Sequence, residues 1–338
     1  MRAMCAVEYT WIAAELKALV GKRLSKLSKT ASGYRFRIGD SDIICQPPIR
    51  IHTTKYIEES EAPDRFVEGV RRELRGRILR GVEQINNDRV LMFDFGEYKL
   101  YFEMFAKGNI VLTKDGRTIV ALRYEQWADR EIRPNHSYIP PKAPPQKIKD
   151  VISDKYIIVS LLHLPLGKEY VEELLAATGV QEKTAGISIT EGQIKSLEEQ
   201  LEKMKMNFKP YGFYKDGKLV DFGLLQFSKY IGLRVQPFAS LSEAADEYYW
   251  ENQVAEEPAE IKKLQMRLAK QQEYLEALKR EEEELRKAGD WFYANYQYVE
   301  TFLSEARAVG LKNLDSLMKK YKEIRAINKG KKEIEIEI

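Results

Sequence analysis

Hydrophobic and polar positions follow two different periods in the N-terminal part of the chain. Residues 6–20 and 64–80 carry apolar side chains every three or four positions, which predicts two amphipathic helices. Residues 22–52 and 81–124 instead alternate at every second position, with glycines, prolines and an Asp115-Gly116 step at the breaks. That alternation is typical of short antiparallel strands joined by tight turns. The pattern therefore predicts a β-rich domain that contains two helices.

The pattern changes after a proline-rich segment at residues 134–149, where neither helix nor strand can continue. Residues 146–206 are predicted to be helical, and 161–180 resembles a helix-hairpin-helix, with a Pro-Leu-Gly turn between its two helices. Strand-like alternation returns at 208–227, so the helical segment is predicted to be an insertion into the β-rich domain. A short helix is predicted over 241–250.

The C-terminal quarter is predicted to be mostly helical. Apolar positions from Ile261 to Leu285 step by three and four residues, which is the heptad pattern of a coiled coil. Further helices are predicted over 290–307 and 313–327, and the alternating end, 328–338, predicts one strand. Neither the heptad seam nor this strand has a visible mate. We therefore interpret the chain as a fragment of a longer protein, or as one that dimerises through this arm.

Composition narrows the functional classes. The 338 residues carry a net charge of +3, so no overall excess demands a nucleic acid. Residues 1–90, however, hold 17 Lys and Arg against 12 Asp and Glu, while the remainder holds 38 against 40, which favours an anionic partner for the N-terminal quarter. No apolar run approaches the roughly 20 residues of a membrane-spanning helix. We expect a cytoplasmic protein without membrane contact.

Catalytic and metal-binding signatures are missing from the sequence. Two cysteines without a CxxC motif and three scattered histidines argue against structural zinc. No Ser-His-Asp or Cys-His arrangement and no glycine-rich phosphate loop is present. We therefore expect no catalytic residue, no metal and no cofactor.

The stretch NNDRVLMFDF, residues 86–95, is the strongest candidate site. Asn86-Asn87 can form a tight turn that Asp88 closes as an Asx-type turn, in which case Arg89 begins a strand and points to solvent. Alternatively, a partly buried Asp88–Arg89 pair would hold the guanidinium in one orientation for a phosphate or a base edge. Residue chemistry alone leaves both alternatives open.

Three further features have a structural and a functional interpretation. The arginine face of the 64–80 helix is either a solvated face, with Glu68 and Glu73 as ion-pair partners, or a phosphate-binding surface. The 161–180 hairpin could offer backbone N–H groups to a phosphate, but a plain connection between packed helices is favoured. The aromatic residues of 291–302 are more often packed in a core than used to stack bases.

Taken in order, these segments resemble the NFACT family, which includes bacterial RqcH, the fibronectin-binding-protein-A-like proteins and the eukaryotic nuclear export mediator factor. The motifs are IRIHTT, GVEQINNDRVLMFDF, FEMFAKGNIVLTKDGRTIVAL and RPNHSYIPP. The resemblance covers essentially the whole chain and is strongest at 80–141. It implies an α+β fold with four parts. These are a β-rich domain similar to formamidopyrimidine DNA glycosylases (1–145 and 207–250), a helix-hairpin-helix domain (146–206), a coiled coil with middle helices (251–327) and the start of a truncated strand segment (328–338).

The resemblance also implies a function in ribosome-associated quality control. The family binds the obstructed large ribosomal subunit with its rRNA, and recruits tRNA for untemplated, typically alanine, tailing of the stalled chain. Because the ribosome makes the peptide bond, the protein is expected to be a tRNA-positioning factor and not an enzyme. Only the first helix of the family's two-helix coiled-coil arm is present, so this chain is expected to bind tRNA but to anchor poorly on the ribosome.

The family's motif residues map onto this sequence individually. Its Asp-Arg motif corresponds to Asp88 and Arg89, and its N-terminal Asp corresponds to Glu8, which keeps the charge but adds a methylene. These three residues are the expected tRNA-binding set. The residues expected to contact phosphate are Arg71, Arg72, Arg75, Arg80, Lys107 and Lys168.

Two other functions are compatible with the same fold. One is a DNA-lesion-binding or glycosylase-like protein, against which the Met1-Arg2 start argues because it lacks the Pro-Glu of those enzymes. The other is a fibronectin-binding adhesin, against which the lack of a visible secretory signal argues.

Overall fold

The computed structural model describes residues 2–253, 259–310, 317–321, 324–328 and 333–336. The chain divides into two compact units, Met1–Glu256 and Glu257–Ile338. Among the described helices, none combines the length and the apolar character that crossing a bilayer requires.

The N-terminal unit contains two antiparallel sheets, each with its strands in chain order. The first sheet consists of β1 (Leu24–Thr30), β2 (Gly33–Ile38), β3 (Ser41–Gln46) and β4 (Arg50–Thr54). The second consists of β5 (Gly81–Gln84), β6 (Val90–Asp94), β7 (Tyr98–Glu103), β8 (Asn109–Lys114) and β9 (Arg117–Ala121). The predicted hairpins are confirmed. Lys114 pairs with Arg117, and both turn residues, Asp115 and Gly116, have positive φ (48° and 77°).

The helices of this unit are α1 (Ala6–Leu16), α2 (Arg65–Leu74), α3 (Ile157–Leu161), α4 (Lys168–Thr178), α5 (Glu191–Met206) and α6 (Leu241–Gln253). In this unit α1, α2 and α6 pack on strands, whereas α4 packs on α3 and α5. The two sheets meet at fully buried aromatic rings. The Phe36 ring of the first sheet has its centroid 5.4 Å from that of Phe102 in the second, and within the second sheet the Phe93 and Phe102 centroids are 4.7 Å apart. Burial of such side chains is worth about 1.5–3 kcal/mol each, which makes this interface the centre of the core.

The predicted helix over 64–80 is confirmed at its start and wrong at its end. The Asp64 carboxylate accepts a hydrogen bond from Val67 N (2.9 Å), as an N-cap should. The helix ends at Leu74, and Gly76 takes a left-handed conformation (φ 82°). Residues 76–79 then run beside residues 22–24, with hydrogen bonds of 2.7–2.9 Å between their backbones. Pairing with a strand distant in sequence therefore overrides the helical period.

The predicted return to strands after the helical segment is confirmed, but those strands form a sheet of their own. β12 (Tyr211–Lys215) lies between β13 (Lys218–Gly223) and β14 (Arg234–Pro237). Helix α6 packs against both β13 and β4, and so joins this third sheet to the first. A pair of two-residue strands, β10 (Glu125–Gln126) and β11 (Glu131–Ile132), follows the second sheet.

The C-terminal unit begins with one long helix. Its elements are α7 (Ala259–Ala294), α8 (Tyr296–Val309), α9 (Leu317–Lys320), β15 (Ile324–Asn328) and β16 (Glu333–Ile336). The helix predicted to start at residue 290 starts at Tyr296 instead, since 290–294 continue α7. The helix predicted over 313–327 is wrong at its end, because 324–328 form a strand, and residues 313–316 lie outside the described residues. That strand pairs with β16 and is the mate that the sequence did not reveal.

The heptad seam lies on α7, and its described apolar positions are exposed. Leu268, Leu275, Leu278 and Leu285 are 42–66% exposed, and the side chains of Ile261 and Leu264 lie outside the description. A helix at this place is confirmed, whereas coiled-coil pairing stays a prediction. Of the aromatic residues of 291–302, Phe302 is buried, in a small cluster with Leu317, Tyr321 and Ile324.

Candidate functional site

The stretch 85–89 forms the turn between β5 and β6. Asn86 and Asn87 both have positive φ (58° and 52°), and Asp88 N donates to Ile85 O (3.0 Å), which defines a type I′ turn. The predicted tight turn is thus confirmed. Asx-type closure by Asp88 is wrong, because its Oδ1 accepts from the next residue, Arg89 N (2.7 Å), and not from the residue after it.

The Arg89 side chain is partly buried and has no carboxylate within 4 Å among the described residues. The Asp88 carboxylate therefore fixes the Arg89 backbone and does not pair with its guanidinium. Arg89 O accepts from Met104 N (2.7 Å), which places the residue beside the loop between β7 and β8. Burial raises the pKa of the nearby Tyr9 phenol, and the Arg89 charge opposes part of that rise.

Side-chain amides hold this turn in place. Gln84 Nε2 donates to both Ala6 O and Asp88 O (2.8 Å each), and its Oε1 accepts from Thr10 Oγ1 (2.6 Å). These bonds connect the turn to helix α1. They involve no charge, so they position the Arg89 backbone and leave its guanidinium without an ion pair in the part of the chain that the structure describes.

The other side of the turn is bonded to the proline-rich segment. Asn86 Nδ2 donates to Pro141 O (2.8 Å), and Asn87 Nδ2 donates to Gln146 Oε1 (3.1 Å). A mostly apolar cleft of about 420 Å³ opens next to Asn87 and Gln146. Its further lining includes Trp11 of α1 and Lys205 of α5. The turn is therefore the rim of a concave surface.

Glu8, the third residue expected to bind tRNA, is fully buried. Its carboxylate accepts from Cys5 N (2.9 Å) at the start of α1, from Tyr170 Oη (3.1 Å) and from the Arg2 guanidinium. Three donors therefore satisfy this carboxylate inside the protein. The structure places Asp88 and Arg89 at the surface and the Glu8 side chain in the interior.

Arg2 links Glu8 to the third sheet. Its Nε lies 3.0 Å from Asp221 Oδ1, and its guanidinium packs 4.3 Å from the Phe222 ring centroid. Burial works to lower the pKa of Arg2, but the charges of Glu8 and Asp221 outweigh it and raise that pKa above its ordinary value. Tyr170 Oη also accepts from Leu224 N (3.0 Å), so one network joins α1, α4 and β13.

Sequence reasoning did not find this network. Arg2, Tyr170 and Asp221 lie far apart in the chain and carry no motif. One local signal was present, since an acidic residue in the first turn of a helix often bonds back to the N-cap backbone, as Glu8 does to Cys5.

The six cations expected to contact phosphate fall in three places. Lys107 is exposed in the loop between β7 and β8, at the same end of the second sheet as Arg89. Arg80 N bonds to Asp94 O (2.7 Å), at the far end of β6, about 16 Å away for a strand of that length. Arg71 and Arg72 lie in the last turn of α2, and Arg75 is its C-cap residue. Arg80 therefore lies at the end of β6 away from Arg89, and the phosphate contacts expected of these four arginines stay a prediction.

Lys168 is the first residue of α4 and lies 3.4 Å from Glu172. At this helix N-terminus, burial works to raise the pKa of Glu169, but a hydrogen bond from its own backbone N–H and the Arg2 and Lys229 charges lower it. A protein carboxylate thus already occupies the helix start. A side chain at Gly167 would place its Cβ 2.8 Å from Cys5 Sγ, so the turn before α4 packs closely on α1. This favours a plain helix connection over a phosphate site.

Comparisons with known proteins agree with this architecture. A family model described as NFACT N-terminal and middle domains matches residues 12–338. The archaeal Rqc2 homolog aRqcH of Methanocaldococcus jannaschii is 31% identical over 286 residues, which are 74% of this chain and 42% of that protein. The ribosome quality control complex subunit 2 of Schizosaccharomyces pombe is 33% identical over 133 residues, 35% of this chain and 13% of that protein. The chain spans less than half the length of these curated relatives.

Solved structures share the fold at low sequence identity. The N-terminal part of the fibronectin/fibrinogen-binding protein from Streptococcus suis is 20% identical with a TM-score of 0.54, covering 73% of this chain and 99% of that one. The fibrinogen-binding protein from Staphylococcus aureus is 17% identical with a TM-score of 0.56, covering 72% and 98%. The mixed architecture with a β-rich N-terminal domain is confirmed. The glycosylase-like, helix-hairpin-helix and coiled-coil descriptions stay predictions.

Proposed function

Because this chain belongs to the family of NFACT N-terminal and middle domains, we propose that it is part of a ribosome quality-control factor. The names of its archaeal and fission-yeast relatives support this role. In the proposed role, the protein binds the obstructed large ribosomal subunit and its rRNA. It also holds a tRNA there for untemplated C-terminal tailing of the stalled chain.

The observation that carries the tRNA part of this proposal is the environment of Arg89. A partly buried guanidinium without a protein carboxylate in the described chain still has its full capacity to donate to a phosphate or a base edge. The type I′ turn and the Gln84 bonds hold its backbone in one position. Binding an anion there would order few additional groups, which favours affinity.

The three motif residues then have different roles. Arg89 contacts the RNA, and Asp88 positions it through the backbone N–H that it accepts. Glu8 supports the site from the interior, because it bonds to the start of α1. In the first turn of that helix, Ala6 O accepts a hydrogen bond from the same Gln84 amide that donates to Asp88 O. Lys107, exposed at the same end of the sheet, adds phosphate charge. Lys168 is exposed on α4 and contributes less, because Glu172 pairs with it.

The remaining parts of the proposal concern assembly. In this role the protein positions tRNA while the ribosome forms the peptide bond, so no catalytic residue or cofactor is assigned. The exposed leucine seam of α7 provides a surface for a second helix, from a longer form of the chain or from a second copy. Action on ribosomes places the protein in the cytoplasm.

The test uses two charge-matched variants at two hairpin turns. Asp88→Asn with Arg89→Gln removes the candidate charges and keeps an acceptor for Arg89 N. Asp115→Asn with Arg117→Gln makes the same change in the exposed turn between β8 and β9. We expect tRNA recovered with the purified protein to fall at least tenfold in the first variant and to stay near the wild-type amount in the second. Equal tRNA recovery from both would overturn the role of Arg89.

A further inference from the structure

A second group of cations lies beside residues 76–79, which lead to the Asp94 end of β6 and not to its Arg89 end. We call it the β1–α2 basic surface, and it consists of Lys22, Arg23, Lys26, Arg71 and Arg75. Strand β1 is the outer strand of its sheet, and residues 76–79 run antiparallel beside residues 22–24. This pairing brings the cations before and within β1 next to those at the end of α2.

The charges of this surface are not neutralised by the protein. Neighbouring cations have acidic partners: Lys29 with Glu61 (3.1 Å), Arg72 with Glu73 (2.9 Å) and Arg77 with Glu97 (3.1 Å). In contrast, no carboxylate of the described chain lies within 4 Å of any of the five cations of the β1–α2 basic surface. Such a concentration of like charge is unfavourable by itself and attracts a polyanion.

A groove of about 270 Å³ runs between β1 and α2. Residues 24–27 form one wall, and Arg71 and Arg75 form the other. The register of β1 shifts between Leu24 and Lys26, which is a bulge at the sheet edge and bends the strand locally. The groove is concave and lined on both walls by cations.

Backbone carbonyls hold two of the guanidinium groups. Arg71 Nε donates to Leu27 O (2.8 Å), and Arg23 Nη1 donates to Gly76 O (2.8 Å). Each bond uses one of the five donors of an arginine and restricts its side chain. The remaining donors stay available to an acceptor from outside. Restricted arginine forks match the oxygens of a phosphate, so the groove is organised for phosphate before any ligand arrives.

We propose that the β1–α2 basic surface binds the phosphodiester backbone of a second RNA segment, separate from the tRNA at Arg89. The groove walls are leucine, serine, lysine and arginine, without an aromatic ring for base stacking. Contacts to phosphate and not to bases are therefore expected, with little sequence preference. The choice of RNA over an acidic protein rests on the proposed function, in which helical rRNA surrounds the bound chain. One chain would then connect two RNA segments.

The test removes three exposed cations that form no side-chain bond in the described chain. The variant is Lys22→Gln, Lys26→Gln and Arg75→Gln, and it keeps Arg23 and Arg71 with their structural bonds. A matched control removes three exposed lysines elsewhere in the same unit, Lys183→Gln, Lys203→Gln and Lys215→Gln. The probe is a short fluorescein-labelled RNA duplex of mixed sequence, titrated at several salt concentrations against the full 338-residue chain.

We expect the test variant to bind the duplex about tenfold more weakly and the control to bind like the wild type. The slope of log K against log salt should become shallower by roughly 2 to 3, as three lost phosphate contacts require. The Asp88→Asn, Arg89→Gln variant should show the reverse behaviour: it should lose tRNA and keep the duplex. This double dissociation separates the second RNA site from the proposed function.

Three results would overturn the inference. Duplex binding by the test variant equal to that of the control would remove the surface from RNA binding. Parallel loss of tRNA and duplex in the folded test variant would indicate one RNA surface, and would leave the tRNA proposal intact. Tighter binding of labelled polyglutamate than of the duplex, lost in the test variant, would assign the surface to an acidic protein.

Discussion

Glu8 and Arg89 belong to the same predicted tRNA-binding set, yet they occupy opposite environments. Glu8 is fully buried, and three donors from Arg2, Cys5 and Tyr170 satisfy its carboxylate. Arg89 is partly buried and has no carboxylate within 4 Å in the described chain. A buried charge is tolerated when its partners are complete, whereas an incomplete set of partners marks a place for an external ligand. From this contrast we propose that Glu8 serves the fold and Arg89 serves recognition.

The largest loss of stability is expected when the buried residue, Glu8, is replaced. Glu8→Ala leaves the Tyr170 hydroxyl without its interior acceptor and takes from the Arg2 guanidinium one of its two closest carboxylates, with Asp221 remaining. The free energy of unfolding in urea should therefore fall by about 3–5 kcal/mol. Glu68→Ala, on the exposed face of α2, is the control and should change it by less than about 0.5 kcal/mol. A Glu8→Ala protein of wild-type stability that has lost tRNA would reverse the assignment of the two residues.

His52 is a second buried titratable group, and its pKa predicts how the stability of the fold depends on pH. Burial, with the Arg50 charge, lowers the pKa of His52 to about 3. An unfolded histidine has a pKa near 6.5, so below that pH the unfolded chain takes up a proton that the folded protein does not. Stability should fall as the pH falls from about 6.5 to about 3, with a loss of roughly 3 kcal/mol by pH 4.5.

The test of this pH effect is His52→Asn, compared with the wild type by urea unfolding between pH 7.5 and 4.5. The variant should lose less stability over that range. Burial raises the pKa of Asp246, 4.0 Å from His52 Nδ1, and a raised carboxyl pKa acts in the opposite direction, stabilising the fold as pH falls. Asp246 is present in both proteins, so most of its contribution cancels in the difference. Parallel pH curves would show that His52 is protonated in the folded state.

Substitutions in the Asn86-Asn87 turn should lower the stability of the fold by an intermediate amount. Asn86→Ala with Asn87→Ala places alanine at two positions of positive φ, a conformation that costs roughly 1–2 kcal/mol for each alanine. Asn86→Gly with Asn87→Gly removes that strain but also removes the hydrogen bonds to Pro141 O and Gln146. Thermal unfolding should therefore place the glycine pair closer to the wild type than the alanine pair. Both pairs lose the side-chain bonds, so equal stabilities, well below that of the wild type, would show that those bonds, and not the backbone conformation, hold the turn.

The smallest effect on stability is expected at Arg89, the partly buried member of the set. Arg89→Ala should change the free energy of unfolding by less than about 0.5 kcal/mol, since the side chain has no ion pair in the described chain to lose. Its tRNA affinity should fall, and the slope of log K against log salt should become shallower by about 1. Arg117→Ala, beside the β8–β9 turn, is the matched control. A stability loss as large as that of Glu8→Ala would make Arg89 a structural residue.

The exposed seam of α7 shows which structural features sequence periodicity can predict and which it cannot. The steps of three and four from Ile261 to Leu285 correctly predict a helix, because that period is a property of the helix itself. The same pattern could not show where the helix ends or that 324–328 form a strand with β16. Those features depend on contacts between segments, and short apolar runs are compatible with either helix or strand.

Features whose energy comes from neighbouring residues could be read directly from the sequence. The Asp115-Gly116 hairpin and the Asn86-Asn87 turn each rest on backbone preferences and bonds within a few positions. The order of the β-rich segments was also sufficient to identify the family, which the match over residues 12–338 confirms.

Only the tertiary structure decided where the charges lie. Whether Glu8 faces a ligand or the interior depends on Tyr170, 162 positions away, and on Arg2, which Asp221 also holds. Likewise, the helical period through Arg80 was interrupted because residues 76–79 gain strand-like bonds with residues 22–24, and this separates the arginines of α2 from Arg89. Burial and ion pairing depend on distances between side chains remote in sequence. The sequence alone shows that a residue is charged, but not whether another part of the protein or a binding partner neutralises that charge.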